Sequence, residues 1–473
     1  MHKVSTESEY TAAPASAPSL NNEGLLTALL AIAVVLVIMN TAMFNLALPD
    51  VTEAFHLSAA VSSLIVTGYS IMFAISSITF SRLSDFLPIR RLLTIGLTTL
   101  GIAAVAGLFS PNFWVLLAVR VIQASGAGAV VSLSLVTLSR YVPIKRRGKA
   151  MALIMSAVSL GLGLGPVAGG AIVEYLGWRY LFIITALTLL LVPLFLRHIP
   201  REQPVRGAFD TLGAIFVAVG TTGLLLFLTE HSWLALVLGA VALTLFVWRI
   251  RTATDPFVSP ALFRNGSYLS LSIVGIASYL CSFATLFLLP QILVHRFGLT
   301  ASHAGLIIFP GSILAMVASR RVGSIIDRHG NGAILRYIPL LVLSSMILFA
   351  LFSGQSWLAI LFIYILISLG FTMLSSSVSN EISRILPASQ VGSGMGLYQL
   401  LQFFSGAFSV AMASSAMEWQ HGLSLSAAYS NIFWGLMVMA LLALGSSIVY
   451  LRSMAVKGSP PVFYEPKKVG KLR

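Results

Sequence analysis

The sequence predicts an all-α, polytopic membrane protein: two parallel six-helix halves with two linker helices inserted between them, fourteen transmembrane helices in all. Three observations point there. The 473 residues are 57% hydrophobic and only 9% charged, with a strongly positive mean hydropathy, which excludes a soluble chain of this length. Apolar runs of about 20 residues, long enough to cross a hydrocarbon core of about 30 Å, recur from end to end. Basic residues gather in alternate loops, as the positive-inside bias of short cytoplasmic loops demands.

In chain order, spans are expected at 25–48, 60–80, 92–110, 113–139, 150–173, 178–197, 210–228, 232–249, 268–294, 302–320, 333–352, 357–379, 391–416 and 430–452. The first closes on FNLALPD (44–50), and the loop after the second reads FSRLSDFLPIRR (80–91). The fourth carries RVIQASGAG (120–128), with Arg120 the one charge deep in a span. The fifth holds GLGLGPVAGG: Gly161, Gly165 and Gly169 fall four apart on roughly one helix face, Gly170 closes the run, and Pro166 removes a backbone donor and bends the helix. Such a ladder reads first as a close helix-packing interface. Spans seven and eight lie between RHIPREQPVRGAFD (197–210) and RIRTATDPFVSPALFRNGS (249–267). The ninth holds the single cysteine, Cys281, which rules out an internal disulfide. After the tenth, VGSIIDRHGN (322–331) echoes the loop after the second, with an Asp and nearby Arg at equivalent positions. That echo is what two parallel halves would show.

The basic residues test this frame. Of the 29 Lys and Arg, all but Arg120, Arg179 and Arg296 fall on one side when both termini are cytoplasmic. The net charge of +14 therefore reads as topology beside anionic lipid headgroups, and not as a nucleic-acid footprint. The expected division is a disordered cytoplasmic N-terminus at 1–24, an N-terminal half at 25–197, a linker with two extra helices at 198–267, a C-terminal half at 268–452 and a basic cytoplasmic tail at 453–473. The N-terminal segment lacks the basic region of a signal peptide, so the first helix is expected to stay as a span in the cell (plasma or inner) membrane.

Taken in register, FNLALPD, RLSDFLPIRR (82–91), RVIQASGAG, and GLGLGPVAGG followed by WRYLF (178–182) resemble the major facilitator superfamily. Within it the chain is similar to the fourteen-spanning drug/proton antiporters, which include Gram-positive tetracycline and multidrug exporters. FDTLG (209–213) and DPFVSPALFRN (255–265) are similar to that group's linker patterns, and the similarity covers about residues 25–452. The resemblance implies a conformational latch at Arg82, Asp85, Arg90 and Arg91, echoed by Asp327 and Arg328; a solvated charged loop is the plainer alternative. Ser81 and Pro88 stand where the family usually has glycines, which points to a stiffer loop. The resemblance also implies that Arg120 helps proton movement near an acidic group. The alternative is a structural Arg bonded to helix carbonyls.

One departure matters. The tetracycline exporters place membrane carboxylates near the end of span one, in the span-five glycine motif and in span thirteen; the matching positions here are Thr41, Leu162 and Gly406. No other Asp, Glu or His is expected at mid-depth. A proton or substrate pathway is expected at Asn40, Thr41, Asn45, Arg120 and Gln123, with Tyr69, Tyr279, Gln399 and Gln402 as further polar lining. An uncompensated Arg120 suits a neutral, zwitterionic or anionic ligand better than a lipophilic cation.

These readings converge on a secondary active transporter that exports amphiphilic small molecules, such as an antibiotic or natural product, by alternating access driven by protons. The competing reading is a carrier for an anionic or neutral metabolite, or a facilitator without tight proton coupling. A membrane enzyme would need a polar catalytic cluster, and scattered histidines without an HExxH-type pair argue against one. No cofactor or metal is expected. The partners expected are a small-molecule substrate, protons and membrane lipid, with the chain acting as a monomer.

Overall fold

The computed structural model describes residues 22–456, apart from 58, 205–208, 231, 388–389 and 421; the side chains of Asn45, Leu46, Pro49, Ala59, Ala60, Ser63, Thr229, Glu230, Ala301, Ser302, Arg320 and Val456 are also outside the description. Most of the expected N-terminal segment and basic tail lies outside these residues. Where the description begins and ends, Glu23 and Gly24 already belong to the first helix, and 453–456 belong to the last.

Fourteen helices long and apolar enough to cross a membrane run through the chain. They are α1 (Glu23–Ala54), α2 (Ala59–Leu83), α3 (Ile89–Leu108), α4 (Phe113–Tyr141), α5 (Ile144–Tyr175), α6 (Trp178–His198), α7 (Thr211–Glu230), α8 (Trp233–Thr252), α9 (Gly266–Gln291, continued by a wider turn, Ile292–Arg296), α10 (Ala301–His329), α11 (Gly332–Phe352), α12 (Trp357–Ile385), α13 (Val391–Trp419) and α14 (Leu425–Val456). No strand occurs among the described residues. With no water in the bilayer to satisfy backbone groups, helices are the form such apolar runs take.

Sequence signals set many boundaries. Asn112, Asn265, Thr300 and Ser356 each accept a hydrogen bond from a first-turn amide of the helix they precede. Pro88 and Pro143 lead into α3 and α5, where a missing N–H costs nothing. Gly330, at φ +75°, makes the tight passage from α10 to α11 that a side chain would strain. Several helices outrun their apolar spans: α2 extends to Leu83 and α10 to His329, so Asp327 lies on a helix and not in the expected loop. Their last turns carry Arg82 and Asp327, Arg328 and His329, and the helical backbone pattern simply continues through them. Pro166 does not interrupt α5, while α6 is broken by short 3₁₀ turns at Trp178–Tyr180 and Leu187–Leu190.

α1–α6 and α9–α14 form the two halves. They meet along two seams, α5 against α10 and α2 against α13. α7 and α8 pair through Gly223 and Gly239, whose backbones touch, and α7 packs on α2 and α13. The face at which α1 begins and α14 ends collects most of the described arginines; we call it the basic face.

Candidate functional site: basic-face latch and buried Arg120

At the basic face, Asp85 follows the last turn of α2 and reaches across the seam. Its Oδ1 accepts a hydrogen bond from the Gly392 amide at 3.1 Å, and its Oδ2 lies 2.9 Å from Arg82 Nη1. Gly392 is the second residue of α13, so its N–H has no acceptor within the helix, and the positive end of the helix favours a carboxylate there. Ser81 Oγ adds a bond to the Gly392 carbonyl at 2.7 Å. Arg82 continues to Asp255 in the segment before α9, at 2.7 Å. Arg140, at the end of α4, lies 3.9 Å from Asp85 and 3.2 Å from Glu202, which in turn accepts the Ile89 amide that opens α3. Burial raises the Asp85 carboxyl above its ordinary value, while Arg82, then Arg140 and the Gly392 amide, pull it back down.

The second seam is closed in the same way. Asp327 accepts hydrogen bonds from the amides of Gly148 and Lys149 near the start of α5, at 2.8 and 3.2 Å. Arg147 donates to Ser383 of α12 at 3.2 Å. A side chain at Gly148 would collide with Ile326 and Asp327, and one at Gly392 with Asp85 and the Ser81 carbonyl.

The structure brings Arg82 and Asp85 together, but not Arg90, Arg91 or Arg328. The first turn of α3 buries Ile89, Leu92 and Leu93, which turns Arg90 and Arg91 away from Asp85. Arg328 is exposed, because the last turns of α10 bury Val322 and Ile326 instead. None of the three has an ion-pair partner among the described residues. Arg140, Glu202 and Asp255 take their places, and only the folded chain brings those three to Asp85.

Arg120 is wholly buried in α4. Its guanidinium lies between two aromatic faces, 4.0 Å from the Phe44 centroid and 4.1 Å from that of Tyr69. Nη1 donates to Gln123 Oε1 at 2.7 Å and to Asn40 Oδ1 at 3.3 Å. The Asn40 amide and the Thr41 hydroxyl both reach the Tyr69 hydroxyl, at 3.3 and 3.2 Å. Asn40, Thr41, Arg120 and Gln123 thus form one cluster with Tyr69 and Phe44; the Asn45 side chain is outside the described residues. No carboxylate among the described residues lies within ion-pair distance of Arg120. Nε of Arg120 and Nε2 of Gln123 also have no acceptor among them. Two ring faces and two amide oxygens stand where the acidic group implied by the resemblance would be.

Between the halves the interior is tight. A cavity of about 20 Å³, room for roughly one water, is lined by Ser159, Leu162, Ser282, Leu286, Tyr364 and Phe371. Phe73 of α2 meets Phe403 of α13 edge-on at 4.3 Å, and Ser77 donates to Gln399 at 2.9 Å. Tyr279 packs on Phe283, Phe371 and Phe403. Leu162 thus faces the dividing plane, and Gly406 packs on Phe283.

The glycine comb is divided between two partners. Added side chains at Gly161, Gly165 and Gly169 would meet α1 at Ile38, Met39, Ala42 and Met43; one at Gly163 would meet Ser312 of α10, and Gly170 faces open space. The comb therefore lets α5 lie directly against both α1 and the opposite half.

Sequence reasoning also passed over Glu381. Buried near the end of α12, it bonds to Asn331 at 2.5 Å and to Arg384 and Tyr450, tying together α11, α12 and α14. Nothing local singles it out, because Asn331 and Tyr450 lie 50 and 69 residues away.

Two six-helix halves, a pair of glycine-tight seams and a polar cluster buried at membrane depth define a membrane transporter. The chain belongs to the Major Facilitator Superfamily, whose pattern its residues 30–410 match. It is 28% identical over 384 residues to the riboflavin transporter RibZ of Clostridioides difficile, covering 80% of this chain and 84% of that protein. It is 27% identical over 392 residues to the lincomycin resistance protein LmrB of Listeria innocua, covering 79% and 82%. Among solved structures, the human organic anion transporter MFSD10 superposes with a TM-score of 0.67 at 18% identity, covering 89% of this chain and 98% of that one. The proton:xylose symporter XylE superposes at 0.65 and 14%, covering 91% and 94%.

Proposed function

We propose that this transporter is a secondary active exporter of neutral or anionic amphiphilic small molecules. It lies in the cell membrane with its basic face and both termini toward the cytoplasm, and its halves are residues 25–197 and 268–452. Substrate is released away from the basic face when the two seams close, and the seams must part to admit the next molecule. The observation that carries the substrate class is Arg120, buried among Phe44, Tyr69, Asn40 and Gln123, with neither an acceptor for its Nε nor a carboxylate in ion-pair range among the described residues. Such a site has donors and ring faces for an acceptor-bearing, partly aromatic ligand, and nothing to replace the hydration of a cation. With no carboxylate or histidine in that cluster among the described residues, proton coupling falls to carboxylates nearer the membrane rims, such as Asp50 and Asp210.

LmrB, a resistance protein, favours the outward direction. RibZ favours a second reading, a carrier for a neutral or anionic metabolite. Everted membrane vesicles separate them. Energised vesicles containing the chain are expected to accumulate neutral or anionic amphiphiles, riboflavin among those tried. Uptake by right-side-out vesicles alone would overturn export and leave the metabolite carrier.

A further inference from the structure

Outside the seams and the Arg120 cluster, one feature of the basic face has no role in transport as described above. The chain leaves α8 through Arg249, Ile250 and Arg251, then re-enters as a single helical turn, Pro260–Arg264, before α9 begins. Between α8 and that turn lies a groove of about 510 Å³. Phe246 and Ile250 are its buried lining, Val247 and Phe263 are exposed, and the exposed Arg251 and Arg264 line it too. The nearby carboxylates are already engaged: Asp210 with Arg249 at 3.0 Å, and Asp255 with Arg82 at 2.7 Å. Neither Arg251 nor Arg264 has an ion-pair partner among the described residues. Trp248, beside the groove, is 59% exposed on the outer flank of α8, where an indole suits the level of lipid headgroups.

We propose that this groove binds one anionic phospholipid, with its phosphate on Arg251 and Arg264 and an acyl chain along Phe246, Val247 and Phe263. The charge and the apolar surface are complementary to a single molecule only if that molecule carries both. A guanidinium presents a planar fork of donors to phosphate oxygens, and basic pockets beside membrane helices recognise anionic headgroups. The site also touches the latch indirectly, because the segment between its two arginines carries Asp255, the second partner of Arg82.

Native mass spectrometry of the purified full-length protein, titrated with phosphatidylglycerol or phosphatidylcholine of the same acyl chains, tests this. The wild type is expected to retain one phosphatidylglycerol with about tenfold preference, and Arg251→Gln with Arg264→Gln to lose that preference. Phe263→Ala, which keeps both charges, is expected to weaken retention about threefold. Arg321→Gln with Arg336→Gln, two exposed arginines elsewhere on the basic face, is expected to leave it unchanged. Equal retention by the Arg251/Arg264 variant, or an equal loss in the Arg321/Arg336 variant, would overturn the site. Displacement of the lipid by inorganic phosphate would also overturn it, by showing a site for the free anion.

Discussion

Asp85 and Asp327 do the same job at the two seams, each placing a carboxylate against backbone amides near the start of a helix in the opposite half, yet their surroundings differ. Asp85 is buried and surrounded by charge: Arg82 is shared with Asp255, and Arg140 is shared with Glu202. Asp327 is less buried and is held by two amides, with no guanidinium in ion-pair range among the described residues. A buried carboxylate in a charge network loses more when one member is removed than a less buried one held by neutral donors. The α2–α13 seam is therefore expected to be the more sensitive to the loss of one charge, whereas the α5–α10 seam depends more on the close fit of its glycines.

The largest effect is expected where that fit is destroyed. Gly148→Leu and Gly392→Leu each force a side chain into the facing half, and overpacking of about 1–3 kcal/mol against the closed state corresponds to a loss of about tenfold or more in transport. Initial rates normalised to membrane protein level measure it. Wild-type rates in either variant would mean that the basic face never closes as described.

Asp85→Asn comes next. It keeps an acceptor for the Gly392 amide but loses the charge on Arg82, so transport is expected to fall about tenfold at near-normal membrane level. Asp327→Asn, which removes no ion pair, is expected to cost about threefold. If Asp327→Asn proves the more damaging of the two, the order of charge sensitivity of the two seams is reversed.

The smallest effect concerns pH. Because burial raises the Asp85 carboxyl above its ordinary value of 3.8, the closed seam binds that proton more tightly than an open one. Acidification thus favours closure, and this contribution is lost as pH rises from 3.8 through the raised value. Thiol labelling of a cysteine placed at Ser84, in a Cys281→Ser background, is expected to slow on acidification once corrected for thiolate fraction. Asp85→Asn should abolish that slope; an unchanged slope would assign it to another group.

Much of the fold was legible because hydropathy and sided charge need no knowledge of packing. Fourteen apolar runs and the positions of the arginines are local facts, and the observed helices overlap every expected span. Asp85, Arg82 and the Arg120 cluster could be picked out because charge and amides at membrane depth are rare. Their partners were not legible in the same way. Asp255 is 173 residues from Arg82, and nothing local marks it as the second partner. Phe44 lay within a recognised motif, but its ring over Arg120 depends on how α1 and α4 cross. Arg90, Arg91 and Arg328 looked equivalent to Arg82 in sequence and differ only in which helix face they occupy.

Carboxylates at two of the empty positions sharpen the account of Arg120. Thr41→Glu would place its charge beside Tyr69 and within the Arg120 cluster, where the guanidinium would take it up. Leu162→Glu would place it on the dividing plane, free to meet a ligand. The most direct measurement is therefore initial ethidium uptake by energised everted vesicles, with an imposed pH gradient, for the wild type, Thr41→Glu and Leu162→Glu. The expected result is near-background uptake by the wild type and by Thr41→Glu, and a clear gain in Leu162→Glu. Vigorous gradient-driven ethidium transport by the wild type would contradict the conclusion that a site built on an uncompensated arginine selects neutral or anionic ligands.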